Sequence, residues 1–268
     1  MAKLVGRVML LLAGGVLAGL LVWVLTPVAA EGQTGDGQPD LNGIWQAIGT
    51  AHWDLEAHSA RAGAMVPLGA VGAVPAGKSV VQGGEIPYQA WAAEQRSENA
   101  AQWLTADPEV KCYLPGVPRV MYMPFPFQIV QSPEFILIAS EYVGATRSIH
   151  MTDVEAPPID TFMGHSLGRW EGDTLVIESD TFNDQTWFDR AGNFHSTALR
   201  VVERITPISQ DALQYEATIE DENVFTRPWT ISLPLYRRLE PDAEILEFNC
   251  VEFVEETLWG HLTKPGSE

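Results

Sequence analysis

The sequence predicts a mainly β domain, an antiparallel meander that closes into a barrel or folds over as a sandwich, with one soluble helix and one N-terminal hydrophobic helix. Three observations predict it. From Phe125 onward, apolar and polar residues alternate with a period of two, the spacing at which a strand turns one face to a core. Turn-rich triplets such as Ser209-Gln210-Asp211 and Glu240-Pro241-Asp242 separate the later runs, and strands joined by short turns pair antiparallel. Seven such runs make a sheet whose edges need protection, which a barrel or a sandwich supplies.

The elements follow in chain order. Lys3 and Arg7 precede an uncharged apolar run at residues 8–25. A helix rising ~1.5 Å per residue needs roughly 20 residues to cross a bilayer, so the run suits a transmembrane anchor. The small residues Val28-Ala29-Ala30 before Glu31 also suit signal-peptidase cleavage after Ala30. Under either reading the basic residues stay cytoplasmic and the rest is exported. The domain then sits on the periplasmic face of the inner membrane, anchored through residues 8–25, or free in the periplasm.

Removing residues 1–30, which hold Lys3, Arg7 and no acid, leaves fourteen Lys and Arg against thirty-five Asp and Glu. A net charge of -21 argues against nucleic acid and anionic lipid as partners. Cys112 and Cys250 are the two cysteines. In an oxidising compartment they form a disulfide, worth ~4–5 kcal/mol in the loop-entropy model; two buried free thiols are the alternative.

Residues 31–40 are rich in Gly, Gln and Asp and read as a linker to a domain over residues 41–264. Gly43-Ile44-Trp45 is similar to the GxW that opens lipocalin-like barrels. Residues 59–86 form a long Gly, Ala, Val and Pro stretch holding only Arg61, Lys78 and Glu85 as charges, a composition that suits a lid or a docking surface. Residues 87–103 are expected to form the soluble helix, with Pro87 in its first turn. Strands are expected at 135–142, 147–151, 173–178, 199–205, 213–219, 229–235 and 245–253.

The densest chemistry lies in residues 168–204. On strand 199–205, Glu203 shares a face with Leu199, Val201 and Ile205. A carboxylate there must be paired or have its pKa raised by desolvation, which fits an acid or base as well as a structural ion pair. His195 leads into that strand, and Asp189 or Glu203 could tune it as a proton shuttle. Arg190 could hold a substrate oxygen. Trp170, Trp187, Phe188 and Trp229 could line an apolar pocket, with His150 and Arg147 on a neighbouring strand. His165 is expected in a loop. His52, Asp54, Glu56 and His58 could hold a divalent cation or lie on a solvated surface, and no metal or cofactor is expected. Gly-rich phosphate loops, GxSxG, HExxH and CxxC are all absent from the sequence.

The segments TADPEVKCYLPGVPRVMYMPFPFQIVQ, GRWEGDTLVIES, FNDQTWFDRAGNFHS, VVER, YEATIEDENVFTRPW and LEFNCVEFVEE resemble a widespread family of exported bacterial proteins of uncharacterised function, over residues 41–261. The resemblance implies no activity. It implies that Cys112, Cys250, Trp170, Asp173, Asp189, Arg190, His195 and Glu203 stand in recurrent motifs. Members often carry His where this chain has Arg200, which disfavours a second-histidine mechanism. Two functions from different classes follow as expectations. One is an exported domain that binds a small apolar molecule, with cofactor-free isomerase or lyase chemistry by His195 and Glu203. The other is a non-catalytic accessory subunit of a larger membrane protein complex.

Overall fold

The computed structural model describes residues 32–35 and 37–262. The expected anchor or signal helix, residues 1–30, lies outside the described residues. Among these, no helix is long and apolar enough to cross a membrane.

Nine strands close into a barrel in sequence order, so the sandwich alternative is set aside. They are β1 (Gly43–Ala47), β2 (Phe127–Gln131), β3 (Phe135–Ser140), β4 (Thr146–His150), β5 (His165–Glu171), β6 (Thr174–Asp180), β7 (Arg200–Ser209), β8 (Ala212–Glu220) and β9 (Trp229–Arg237). Pairing of β1 with β9, Trp45 opposite Arg237, closes the ring and leaves no strand edge for another chain.

Alternation dictates which side chains turn inward. On β8, Leu213, Tyr215, Ala217 and Ile219 are buried, and on β9 Trp229, Ile231, Leu233 and Leu235. They meet Trp45 of β1 and Phe127 and Ile129 of β2 in one continuous core.

Three expectations need correction. The barrel is not a pure meander, because β4 and β5 run parallel and share only the positions Ile149 opposite Ser166 and His150 opposite Leu167. The intervening chain, with Pro157-Pro158 in it, carries the strand back to the starting end instead of reversing in a hairpin. Residues 245–253 form no strand. By then β9 is paired on both sides, with β8 and β1, so no edge is open to them. His165, expected in a loop, opens β5.

The soluble helix α1 (Ala90–Ala101) is shorter than expected. Its Ala, Glu and Gln content favours helix, but the backbone around Pro87 is committed elsewhere. Thr226 N donates to Pro87 O at 2.8 Å and Gln89 N donates to Val224 O at 2.9 Å. Two short helices, α2 (Trp103–Ala106) and α3 (Val254–Trp259), flank the barrel mouth. Cys112 and Cys250 are joined in a disulfide across a sequence separation of 138, which ties the segment leading into α3 to the chain after α2.

Inside the barrel one ion pair crosses the weak parallel seam. Arg147 on β4 donates through Nη1 to Glu203 Oε1 on β7 at 3.0 Å, and through Nη2 to Glu203 Oε2. It also donates to Ser166 Oγ on β5 at 3.0 Å and Ser179 Oγ on β6 at 2.7 Å. Tyr215 on β8 donates its hydroxyl to Glu203 Oε1 at 2.7 Å. Five consecutive strands therefore share one network, with Glu203 fully buried and Arg147 nearly so. Replacing Arg147 by Met leaves Glu203 buried without its counter-charge, and should cost about 3–5 kcal/mol in denaturant unfolding. Adding Glu203→Gln to R147M should recover part of that loss. A single substitution costing under about 1 kcal/mol would show that the pair does not hold the seam.

Candidate functional site

At one mouth of the barrel the long connections fold into a cap of buried charge. Asp189 organises it. Its carboxylate accepts from Leu55 N and Ala191 N at 2.9 Å, Asn193 N at 3.3 Å and Asn193 Nδ2 at 2.5 Å, fixing the 189–193 turn to the 52–56 segment. Asn193 Oδ1 accepts in turn from the Tyr88 hydroxyl at 2.8 Å and Arg96 Nε at 3.3 Å. Burial first, and then the Asp54 carboxylate, push Asp189 up to about 7, against these donated hydrogen bonds. Gly192 has φ +82°, and a Cβ there would stand 2.6 Å from Arg96 O and Ala100 N. Only glycine lets the turn approach α1 so closely.

Arg190 projects from this turn to Glu109. Its Nε and Nη2 donate to the two carboxylate oxygens at 3.0 and 2.9 Å, a bidentate pairing. Glu109 lies on the 3-10 turn Pro108–Lys111, whose first N–H is capped by Asp107 at 2.9 Å. Arg119, buried and held by Asp107 at 2.8 and 3.0 Å, adds a bond from Nη2 to Glu109 at 2.7 Å. His52 Nε2 stands 3.2 Å from the same carboxylate. Burial alone would raise Glu109, but His52 first, and then Arg190 and Arg119, outweigh burial and hold it well below the usual carboxylate range. Burial is the largest influence on His52 and lowers it despite Glu109. Among the described residues, His52 Nδ1 is buried without a hydrogen-bond partner.

The Arg190 guanidinium packs into the corner formed by two edge-to-face indoles, 4.8 Å from the ring centroids of Trp53 and Trp103. Its Nη2 also donates to Glu255 on α3 at 3.3 Å, while Nη1 makes no hydrogen bond among the described residues. These groups line a cleft of about 350 Å³ that opens to solvent, bordered by Met65, Leu68 and Val71 from the 3-10 stretch Val66–Gly72 and its approach, by Leu104 of α2 and by Trp259 of α3. It is an aromatic and aliphatic chamber with one cation and one carboxylate in its wall, of a size that suits a small molecule.

The expected site residues separate into three places. Asp189 and Arg190 belong to this cap. Glu203 and Arg147 lie in the barrel interior and bond to each other, so the expected His195 and Glu203 acid–base pair is not formed. Both ring nitrogens of His195 are engaged elsewhere. Nε2 is 2.6 Å from Thr186 Oγ1, and Nδ1 is 2.9 Å from Ser196 O. Burial lowers its pKa first, against Ser196 O and the Asp221 carboxylate. Phe182 and Phe188 pack on the ring at 6.3 and 5.3 Å. His150 stacks on His165 at 5.5 Å, at the β4–β5 seam. Trp170 packs on the core, and Trp187 pairs its backbone with Phe194.

The expected aromatic pocket is likewise not the one observed, because Phe188 and Trp229 pack on each other at 5.8 Å in the core. Nor do His52, Asp54, Glu56 and His58 converge as ligands. Asp54 and Glu56 face Arg96 at 3.6 and 3.7 Å, and His58 Nδ1 bonds to Glu56 O at 2.9 Å. Among the described residues no cluster with metal-ligand geometry is present.

Sequence reading missed Glu109, Trp53, Trp103 and Glu255. The one available signal was Trp53 amid His52, Asp54 and Glu56, an aromatic inside a charge cluster. No protein-family model matches the chain, and no curated protein sequence matches it.

The buried neutral His195 gives a pH test. Its folded pKa lies below the ordinary 6.5, so the unfolded chain takes up the proton first. Its stabilising contribution is full above pH 6.5 and is lost as the pH falls toward the depressed folded value. Between pH 6.5 and 5, His195→Gln should flatten the stability–pH slope by up to about 1.4 kcal/mol per unit. Parallel slopes for the two chains would mean that His195 does not titrate differently on folding.

Proposed function

We propose that this chain is an exported ligand-binding domain whose ligand is a small, uncharged, largely apolar molecule bearing a hydrogen-bond acceptor. The carrying observation is Arg190, held by Glu109 and packed on two indoles in the wall of a cavity whose other charged group is Glu255, with Nη1 left to donate. A cation in this position would ordinarily suggest an anionic ligand. Here Glu109, Glu255 and Asp107 act on it, and the whole chain carries -19, so a carboxylate would enter against the prevailing field. A carbonyl oxygen accepts the same bond without that cost. The Cys112–Cys250 disulfide supports an oxidising, extracytoplasmic setting.

Binding is favoured over turnover on the same geometry. Isomerase or lyase chemistry needs an acid or base in reach of the bound molecule. His195 and Glu203, the residues that suggested such chemistry, are committed to Thr186 and Arg147.

A second reading, as an accessory subunit of a membrane complex anchored through residues 8–25, has one observation in its favour. Val66 and Val71 on the 59–86 segment are 66 % and 93 % exposed, and exposed apolar side chains on a long connection suit a protein partner. Purification from native membranes at fixed stoichiometry with other subunits would support this reading over the first.

The ligand-binding reading is tested with 2-acetylnaphthalene, an uncharged aryl ketone, by quenching of tryptophan fluorescence. Saturable quenching is expected, about tenfold weaker in Arg190→Lys, which keeps the charge on Glu109 but loses the guanidinium fork. Leu68→Trp, which fills the chamber, should abolish it, and 2-naphthoate should bind less well than the ketone. Absence of saturable binding, or equal binding by R190K and L68W, would overturn the reading.

A further inference from the structure

A second cavity, of about 300 Å³, shares Arg190 and Glu255 with the first. That ion pair is thus part of the wall of each. The second cavity is of mixed character, with Glu109 and Asn249 in its wall beside the shared pair and apolar surface over the rest. Phe125, Tyr142 and Phe248 form an aromatic trio in it, with ring centroids 4.8–5.5 Å apart, and Val251 and Val254 complete it from the C-terminal segment. The disulfide at Cys250 holds that segment in place, so the chamber is built before any ligand arrives.

The shared pair is unequal in its attachments. The bonds from Arg190 to Glu109 are 2.9 and 3.0 Å, whereas the bond to Glu255 is 3.3 Å. The Glu109 side chain is 10 % exposed and that of Glu255 is 35 %. Glu109 therefore fixes the guanidinium, and the Glu255 contact is the one that a ligand can replace at least cost. Replacement places a donor, Arg190, beside an acceptor, Glu255, where the two chambers meet. The complementary group carries an acceptor and a donor on neighbouring positions. A secondary amide does so, while an ester offers an acceptor only and leaves the Glu255 carboxylate desolvated without a partner.

We propose that the two cavities are the arms of one binding site, whose ligand joins two apolar groups through a secondary amide. The carbonyl oxygen takes a bond from Arg190, and the N–H donates to Glu255. This inference rests on the ligand-binding reading of the first cavity and extends it to the class of molecule bound.

The test is calorimetric titration of the full-length chain with three uncharged probes: 2-acetylnaphthalene, N-(2-naphthyl)benzamide and 2-naphthyl benzoate. The amide should bind about tenfold or more tightly than the ketone and the ester. In Val254→Trp, which fills the second arm, the ratio of amide to ketone affinity should fall to about one. In Glu255→Ala the amide should lose its advantage over the ester. Ketone binding with no gain for the amide, or an amide advantage that survives V254W and E255A, overturns the two-armed site and leaves the first cavity's assignment standing. Failure of the ketone and the amide alike overturns both.

Discussion

The interaction on which the rest depends is the Arg147–Glu203 pair inside the barrel. Parallel strands β4 and β5 are joined at only two paired positions, far fewer than β7 and β8 or β8 and β9. A closed sheet is only as continuous as its poorest seam. Arg147 spans that seam from within, reaching Ser166 on β5, Ser179 on β6 and Glu203 on β7, and Tyr215 joins from β8. Two charges out of water are costly, and a hydrophobic pair of equal volume could do as well energetically. What the ion pair adds is direction. A guanidinium fork accepts only a partner in its plane, so it fixes the relative heights of β4, β5, β6 and β7 where backbone pairing is too short to do so.

Filling the barrel in this way leaves the cavities outside it. Trp45, Phe127, Tyr215 and the ion pair occupy the interior, whereas the cavities lie at the mouth, between α2, α3 and the connections. The cap there is assembled by two carboxylates with complementary tasks. Asp189 collects backbone and side-chain N–H groups and so shapes a turn. Glu109 collects cations and so places Arg190 against Trp53 and Trp103. Asp189 and Arg190 are adjacent in sequence, so shaping the turn and aiming the cation are one event.

Period-two alternation made β3, β4 and β6–β9 legible within a few residues, because each has one face in the core. β5 was not, since within HSLGRWE only Ser166 is buried and a glycine stands at its centre. Residues 245–253 alternate as well as any true strand but lack a partner, a fact of barrel closure that no local pattern carries. Glu203 shows the same limit. Its inward direction followed from Val201 and Ile205, but its partner comes from β4, three strands away around the ring. The cap was less legible still. Glu109 lies 81 residues from Arg190, and nothing in the spacing of PEVKC announces a carboxylate that takes two arginines and a histidine. The disulfide, read from compartment chemistry alone, is formed.

The electrostatics of the cap bear on specificity more than on affinity. Arg190 has its charge satisfied before any ligand arrives, by two short bonds to a carboxylate held well below its ordinary range. A ligand charge would therefore meet Glu255, Asp107 and Glu109 as much as Arg190, and gain little. What Arg190 still offers is hydrogen-bond geometry, in a wall made, apart from Glu255, largely of indole and aliphatic surface where an unpaired donor is expensive. On the proposed ligand-binding reading, a cavity so arranged disfavours molecules that are wholly apolar, because they leave the donor unpaired, and anions, because they enter a field of the wrong sign. The neutral molecule it favours places an oxygen at Arg190 and, where it reaches Glu255, a donor there.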